Sequence, residues 1–281
     1  MPHSFVQDSY DTPEGGQDLA SRLLLNCRFY FYLRTCFNFY RIGKCARQGR
    51  FHRQNQAYYS RLNFDLLERC GARIHLRGLQ NLSAEPGPFV LAGNHMSSIE
   101  TMILNAFVSP RLDFTFVIKR GLFSVPFLRQ AMRAIGAIGV GQLDAREDFK
   151  IIMEQGCQRL QSGQSVLIFP EAARCFEFRP ERFNTIAVKL ARSAGVKIIP
   201  FALKTDFITR GRLIAECGPV HPENRICFEF GAPLPVIGNG RETQRQIIDF
   251  IAGRCRQWRR AAPVVSMPNR ETPLLEPTPI R

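Results

Sequence analysis

Between residues 72 and 260, short apolar runs closed by turn residues alternate with longer stretches of helical periodicity, and this alternation narrows the possible folds most. The runs RIHLRG (73–78), PFVLAG (88–93), FTFVIK (114–119), IGAIGV (135–140), SVLIF (165–169) and VKIIPFAL (196–203) read as strands. Two more strands are expected around 212–217 and 225–230. Helices are expected over 98–108, 122–134, 145–161, 184–194 and, strongly basic, 241–260. In 145–161, Phe149, Ile152, Met153, Cys157 and Leu160 fall on one face at helical spacing. Such alternation predicts a layered α/β domain, with a largely parallel central sheet flanked by helices. Pro200 has no N–H to give a ladder, so a bulge or an edge position is expected there. A chain of 281 residues, 45% hydrophobic and 22% charged, has material for a substantial core. That composition excludes a disordered or collagen-like chain.

The flanks differ in character. Residues 1–20 read as a flexible leader, polar and acidic, with no secretory signal, and residues 261–281 as a flexible tail rich in proline. Residues 21–65 read as a helical segment of aromatic and basic residues suited to a membrane surface, and the α/β domain is expected over 66–260. Seven of the residues 29–40 are aromatic, while Arg22, Arg28 and Arg34 interrupt the run. It therefore falls short of the roughly 18 apolar residues of a spanning helix. Rings beside arginines suit the headgroup layer of a membrane, and they suit equally a helix that packs its rings on the protein body. The formal net charge of +14 favours anionic partners without choosing among nucleic acid, phospholipid and phosphorylated small molecules. Nine cysteines, with no CxxC and no Cys/His cluster at metal spacing, read as free thiols in a reducing compartment. No metal site is expected.

Chemistry concentrates at strand ends. After PFVLAG come Asn94 and His95, then Ser97 and Glu100 at the start of a helix. Ser97 and Glu100 have the spacing of a capping box, with Ser97 as the N-cap. The same spacing lets Glu100 lean back toward the imidazole, fix its tautomer and leave the other nitrogen as a base. Both readings stay open on the residues alone, as does a purely structural histidine. No protein nucleophile is evident, so a base here would activate a hydroxyl brought by the substrate. A second strand end carries Glu171 and Arg174 in FPEAARC (169–175), a third Lys119 and Arg120 in FVIKRG (116–121). Arg174 suits a bidentate grip on phosphate, and Glu171 a basic group or a hydroxyl. A surface ion pair between Glu171 and Arg174 is the plainer alternative.

Taken in order, these features resemble the phospholipid/glycerol acyltransferase family, the 1-acylglycerol-3-phosphate O-acyltransferases and their relatives. NHMSSIE resembles its His-x4-Asp motif, VIKRGLFSVPFLRQAMRAIGAIGV its second, FPEAARC the Phe-Pro-Glu-Gly-Thr-Arg-Ser motif and VKIIPFAL its fourth. The resemblance covers about 70–235. It implies a glycerol-phosphate-acyltransferase-like fold. It also implies transfer of a fatty acyl group from acyl-CoA or an acyl carrier protein to a lysophospholipid hydroxyl, with no cofactor. His95 is then the general base, Glu100 its orienting acid, and Lys119, Arg120, Glu171 and Arg174 bind the acceptor. The first and third motifs vary: Glu100 replaces Asp, Ala172 and Ala173 replace Gly-Thr, and Cys175 replaces Ser. Gly121 stands where these enzymes often have Glu, and Gln142 where an Arg often follows the strand.

The expected partners are a phospholipid surface, the acyl thioester and the lysophospholipid, with peripheral membrane attachment on the cytoplasmic face. Two alternatives remain within the resemblance: a relative acylating another lipid acceptor, and a catalytically silent lipid binder. A nucleic-acid binder would leave the His95–Glu100 pair unused, and a serine hydrolase would need a G-x-S-x-G elbow that the sequence lacks.

Overall fold

The computed structural model describes residues 5, 7–13, 28–209, 211 and 218–260. The expected strand at 212–217 and the tail 261–281 lie outside them, as do residues 14–27.

Eight strands form one sheet: β1 (Tyr10–Asp11), β2 (Ile74–Arg77), β3 (Val90–Gly93), β4 (Phe114–Lys119), β5 (Ile138–Val140), β6 (Ser165–Ile168), β7 (Ile198–Lys204) and β8 (Ile226–Phe230). Their order is β1-β2-β8-β7-β3-β6-β4-β5. From β7 to β5 every neighbouring pair is parallel, and antiparallel pairing enters only at β7–β8 and β1–β2. The C-terminal ends of β3, β4, β6 and β7 therefore share one edge, the usual ligand side of such sheets.

Seven helices accompany the sheet among the described residues: α1 (Arg28–Arg47), α2 (Arg53–Arg69), α3 (Ile99–Phe107), α4 (Leu128–Ala134), α5 (Ala145–Gln161), α6 (Ile186–Ala194) and α7 (Arg241–Arg260). Strands buried on both faces need cover on both, and the core divides accordingly. Leu91 of β3 faces a layer built on α1–α4, with Phe31, Phe64, Leu67, Ile103 and Phe107. Val90 and Ala92 face the other layer, where Ile152, Leu160, Leu190, Ile247 and Ile251 bring in α5, α6 and α7.

The structure corrects several expectations. The described part of the leader is not loose. Tyr10 and Asp11 pair antiparallel with β2, Phe5 is buried, and Tyr10 donates to Glu68 at 2.6 Å. The described part of the segment 21–65 forms two helices, α1 and α2, separated by the turn after Arg47. Nor does a domain begin at 66: that position is inside α2, whose Phe64, Leu66 and Leu67 belong to the core under the sheet. The helix expected over 122–134 is broken, with a 3-10 turn over Arg120–Ser124 and α4 only from Leu128. Pro126 forces the break, since the residue before a proline avoids helical angles and Val125 is extended at ψ 126°.

Pro200 lies in a central strand, and the expected bulge is beside it: Ile198 pairs with Leu234 while Pro200 bonds Gly231, so the chain leaving β8 carries one residue more than β7 there. β7 runs between β8 and β3, and the Pro200 carbonyl accepts the Gly231 N–H at 2.8 Å, just past the end of β8.

Gly93 closes β3 immediately before Asn94 and His95. A Cβ at Gly93 would stand 2.3 Å from the Phe201 ring, so only glycine lets β3 pass this close to β7. Gly93→Ala is expected to cost about 1–3 kcal/mol through overpacking, read as a lowered urea midpoint at unchanged m-value.

Candidate active site

At the shared sheet edge the chain leaving β3 is tied down residue by residue. The Asn94 side chain donates to the Leu203 carbonyl and accepts the Leu203 N–H, both at 2.9 Å. It thereby continues the β3–β7 pairing past the end of β3 and fixes the next residue, His95. The His95 N–H donates to Glu171 Oε2 at 2.8 Å, and the His95 carbonyl accepts the Cys175 N–H at 2.8 Å. The imidazole stacks on Phe169, with centroids 4.2 Å apart and planes at 16°.

His95 Nδ1 lies 3.0 Å from Glu100 Oε1. The Glu100 side chain is 0% exposed, while that of His95 keeps 17%. Such a carboxylate needs many donors. Oε1 also accepts the N–H groups of Met96 (2.7 Å) and Ser97 (2.8 Å). Oε2 lies 2.8 Å from the Ser97 hydroxyl and 2.9 Å from that of Thr205. Burial pushes the Glu100 carboxyl up, but the bond and charge of His95 and the Ser97 N–H outweigh it and hold it below its ordinary value. An ionised carboxylate only accepts, so Nδ1 carries the imidazole proton and the Nε2 lone pair is left as a base. No described residue bonds Nε2.

The capping reading and the dyad reading turn out to be one structure. Glu100 takes the Ser97 N–H, and Ser97 Oγ accepts the Ile99 N–H at 3.1 Å, which is reciprocal capping. Ser97 performs it, although the residue flanking α3 is Ser98, which makes no side-chain cap bond.

Glu171 is only 6% exposed, so the surface ion pair with Arg174 is not its setting. Its Oε2 takes the His95 N–H and its Oε1 has no partner. Burial raises its carboxyl above the ordinary range, against the opposing pull of the His95 and Arg179 N–H groups. Arg174 is exposed in the turn after β6, Lys119 is exposed at the end of β4, and Arg120 follows it. Arg120 faces Glu147 of α5 at 3.6 Å. The structure thus brings His95, Glu100 and Glu171 into direct contact. It sets Lys119 and Arg120 two strands from β3, about 10 Å at the usual strand spacing.

Thr205 and Phe169 escaped the sequence reading. Phe169 was visible as the first residue of FPEAARC, but nothing marked Thr205, which follows β7 and meets Glu100 only through the strand order.

A family model described as Acyltransferase matches residues 73–204. Over this stretch, a little under half of the chain, the protein is similar to the acyltransferase family. The 1-acyl-sn-glycerol-3-phosphate acyltransferase of Pseudomonas aeruginosa is 33% identical over 133 residues, 47% of this chain and 50% of that protein. A chloroplastic 1-acyl-sn-glycerol-3-phosphate acyltransferase of Arabidopsis thaliana is 30% identical over 131 residues, 47% of this chain and 36% of its own length. The chain thus spans half or less of these curated relatives. Among solved structures, the 1-acyl-sn-glycerophosphate acyltransferase PlsC of Thermotoga maritima superposes with a TM-score of 0.66 at 16% identity. That match covers 85% of this chain and 97% of the other, and at this identity it establishes the fold. The matched residues include the bonded pair His95–Glu100.

The dyad predicts a pH signature. Glu100 is held below its unfolded value of about 4.3, so its stabilisation is complete above that pH and drains away as pH falls through the folded value. Glu171 has the opposite sign: raised in the fold, it costs stability when ionised and is relieved by protonation. Acid unfolding followed by near-UV dichroism is expected to be steeper below about pH 4 in the wild type than in Glu100→Gln. Equal slopes would contradict the assignment.

Proposed function

We propose that this protein transfers a fatty acyl group from a thioester, acyl-CoA or acyl carrier protein, to a hydroxyl of a lysophospholipid such as 1-acylglycerol-3-phosphate. The observation that carries the reading is the 3.0 Å bond between His95 Nδ1 and the buried Glu100 carboxylate, with Nε2 left open at the sheet edge.

In this reading the acceptor O–H gives its proton to Nε2, and its oxygen attacks the thioester carbonyl carbon. The C–S bond breaks, and the departing sulfur takes the proton back from Nε2. Glu100 orients the ring and stabilises the imidazolium between the two transfers. The base contributes about 10²–10⁴ in rate. No acyl-enzyme is required. Arg174, with Lys119 and Arg120, attracts the acceptor's phosphate to the sheet edge. Glu171 holds the His95 backbone through its Oε2 and so helps set the ring's position.

The lipid substrate also calls for contact with a bilayer. Among the described residues, no helix is long and apolar enough to cross a membrane. α1 nevertheless leaves Leu33 57%, Phe37 55% and Tyr40 43% exposed, and Val125 and Phe127 of the loop after β4 are exposed beside them. The rings of Tyr40 and Phe127 meet edge to face at 5.5 Å, so these side chains form one apolar face. Arg34, Arg41 and Arg69 surround a cleft of about 90 Å³ between α1 and α2, next to Phe37. Apolar rings bordered by guanidinium groups suit the headgroup layer. Phe31, Ile42 and Cys45 of the same helix pack inward, so internal packing and surface attachment share one helix.

Two experiments test the reading. Thiol release from acyl-CoA, with 1-acylglycerol-3-phosphate in vesicles and the product identified by mass, should fall in His95→Ala by at least about 100-fold with the fold intact. Retained activity would exclude the mechanism. Sedimentation with vesicles containing anionic lipid should carry the wild type down and leave Phe37→Asp largely in the supernatant. Equal sedimentation would remove the α1 face from the account.

A further inference from the structure

Two residues other than glycine near the site adopt left-handed backbone angles, Gln142 at φ 62° and Ala172 at φ 59°. They are bonded to each other: Gln142 Nε2 donates to the Ala172 carbonyl at 2.7 Å. An L-residue in this region crowds its Cβ against the backbone, and a single such residue persists where its surroundings hold it. The surroundings here can be followed bond by bond. The Asp148 carboxylate of α5 accepts the N–H of Gly141 at 2.7 Å and of Gln142 at 2.8 Å, clamping the loop after β5. That loop aims the Gln142 amide across to the turn after β6. There Ala172 N–H closes a turn on the Phe169 carbonyl at 3.0 Å. On its other flank the same turn meets the His95 segment, through Glu171 Oε2 and the Cys175 N–H.

We propose that Gln142 is a positioning residue: its amide latches Ala172 in the left-handed conformation and so aims the turn carrying Glu171 and Arg174 at the acceptor. Glycine would hold this angle at no steric cost, and alanine needs the latch. The side chain at 142 is thereby committed to a backbone carbonyl and leaves anion binding to the cations beside it. The inference rests on the acyl-transfer reading for what the turn does, while the latch itself does not depend on it.

The test uses the full chain and three variants: Gln142→Met, which keeps the length and loses the donor, Ala172→Gly, and the double variant. In vesicles with acyl-CoA and 1-acylglycerol-3-phosphate, Gln142→Met should raise the acceptor KM about tenfold, the loss of one hydrogen bond, and leave the donor KM in place. The double variant should return to within about threefold of Ala172→Gly, because glycine needs no latch. An unchanged acceptor KM, or single effects that simply multiply, overturns the proposal. Hydrogen exchange over residues 170–178 reads the latch without any turnover. It should quicken in Gln142→Met and slow again in the double variant, and unaltered exchange also overturns the proposal. A wild type that releases no thiol while the exchange behaves as expected would sink the proposed reaction and leave the latch standing.

Discussion

The structure around the site depends on keeping one carboxylate ionised with no exposure to water. Glu100 is 0% exposed, and its two oxygens are surrounded by His95 Nδ1, two backbone N–H groups and two hydroxyls. An isolated buried carboxylate would simply take up a proton. This one stands in the first turn of α3 and takes donors from the chain leaving β3 and from the residue after β7. Its charge therefore welds those segments together, and the orientation of the imidazole is a by-product of the weld.

The sheet supplies the conditions for that network. Parallel pairing from β7 through β5 puts five strand ends on one edge, and β3 stands between β7 and β6. Asn94 then acts as a counterfeit strand residue against Leu203, holding the chain beyond β3 in line with β7. Phe201 fills the space left by the missing side chain of Gly93 and meets Phe169 at 5.8 Å, and Phe169 in turn supports the His95 ring. Packing thus runs without a gap from the core to the base.

What could be read from the sequence was whatever is local. The α5 periodicity from Ala145 to Gln161, the strand Phe114–Lys119 and the terminal helix Arg241–Arg260 all appear where pattern alone puts them. The His95–Glu100 pair is local too, since five residues separate its members. What escaped is non-local or too short to have a period. Thr205 lies 105 residues from Glu100, and only the strand order brings them together. β1 has two residues, and no alternation can be seen in two. For Glu171 the sequence offered both an acceptor-binding role and a surface ion pair with Arg174, and only the fold shows it buried and bonded to the His95 N–H. The left-handed angles at Gln142 and Ala172 carry no signature in residue type, for both usually avoid that region.

Gly43 has a consequence for scale. A Cβ there would lie 2.8 Å from the Phe127 backbone, so α1 rests on the loop after β4 with no side chain between them. A contact that close leaves no room for sliding. Helix and loop therefore move as one plate, and in the proposed reaction the height of Nε2 relative to that plate would be set by the fold. Were that plate to float on a leaflet, the height would act as a gauge. It would admit hydroxyls at one depth of the lipid layer and pass over those seated higher or lower.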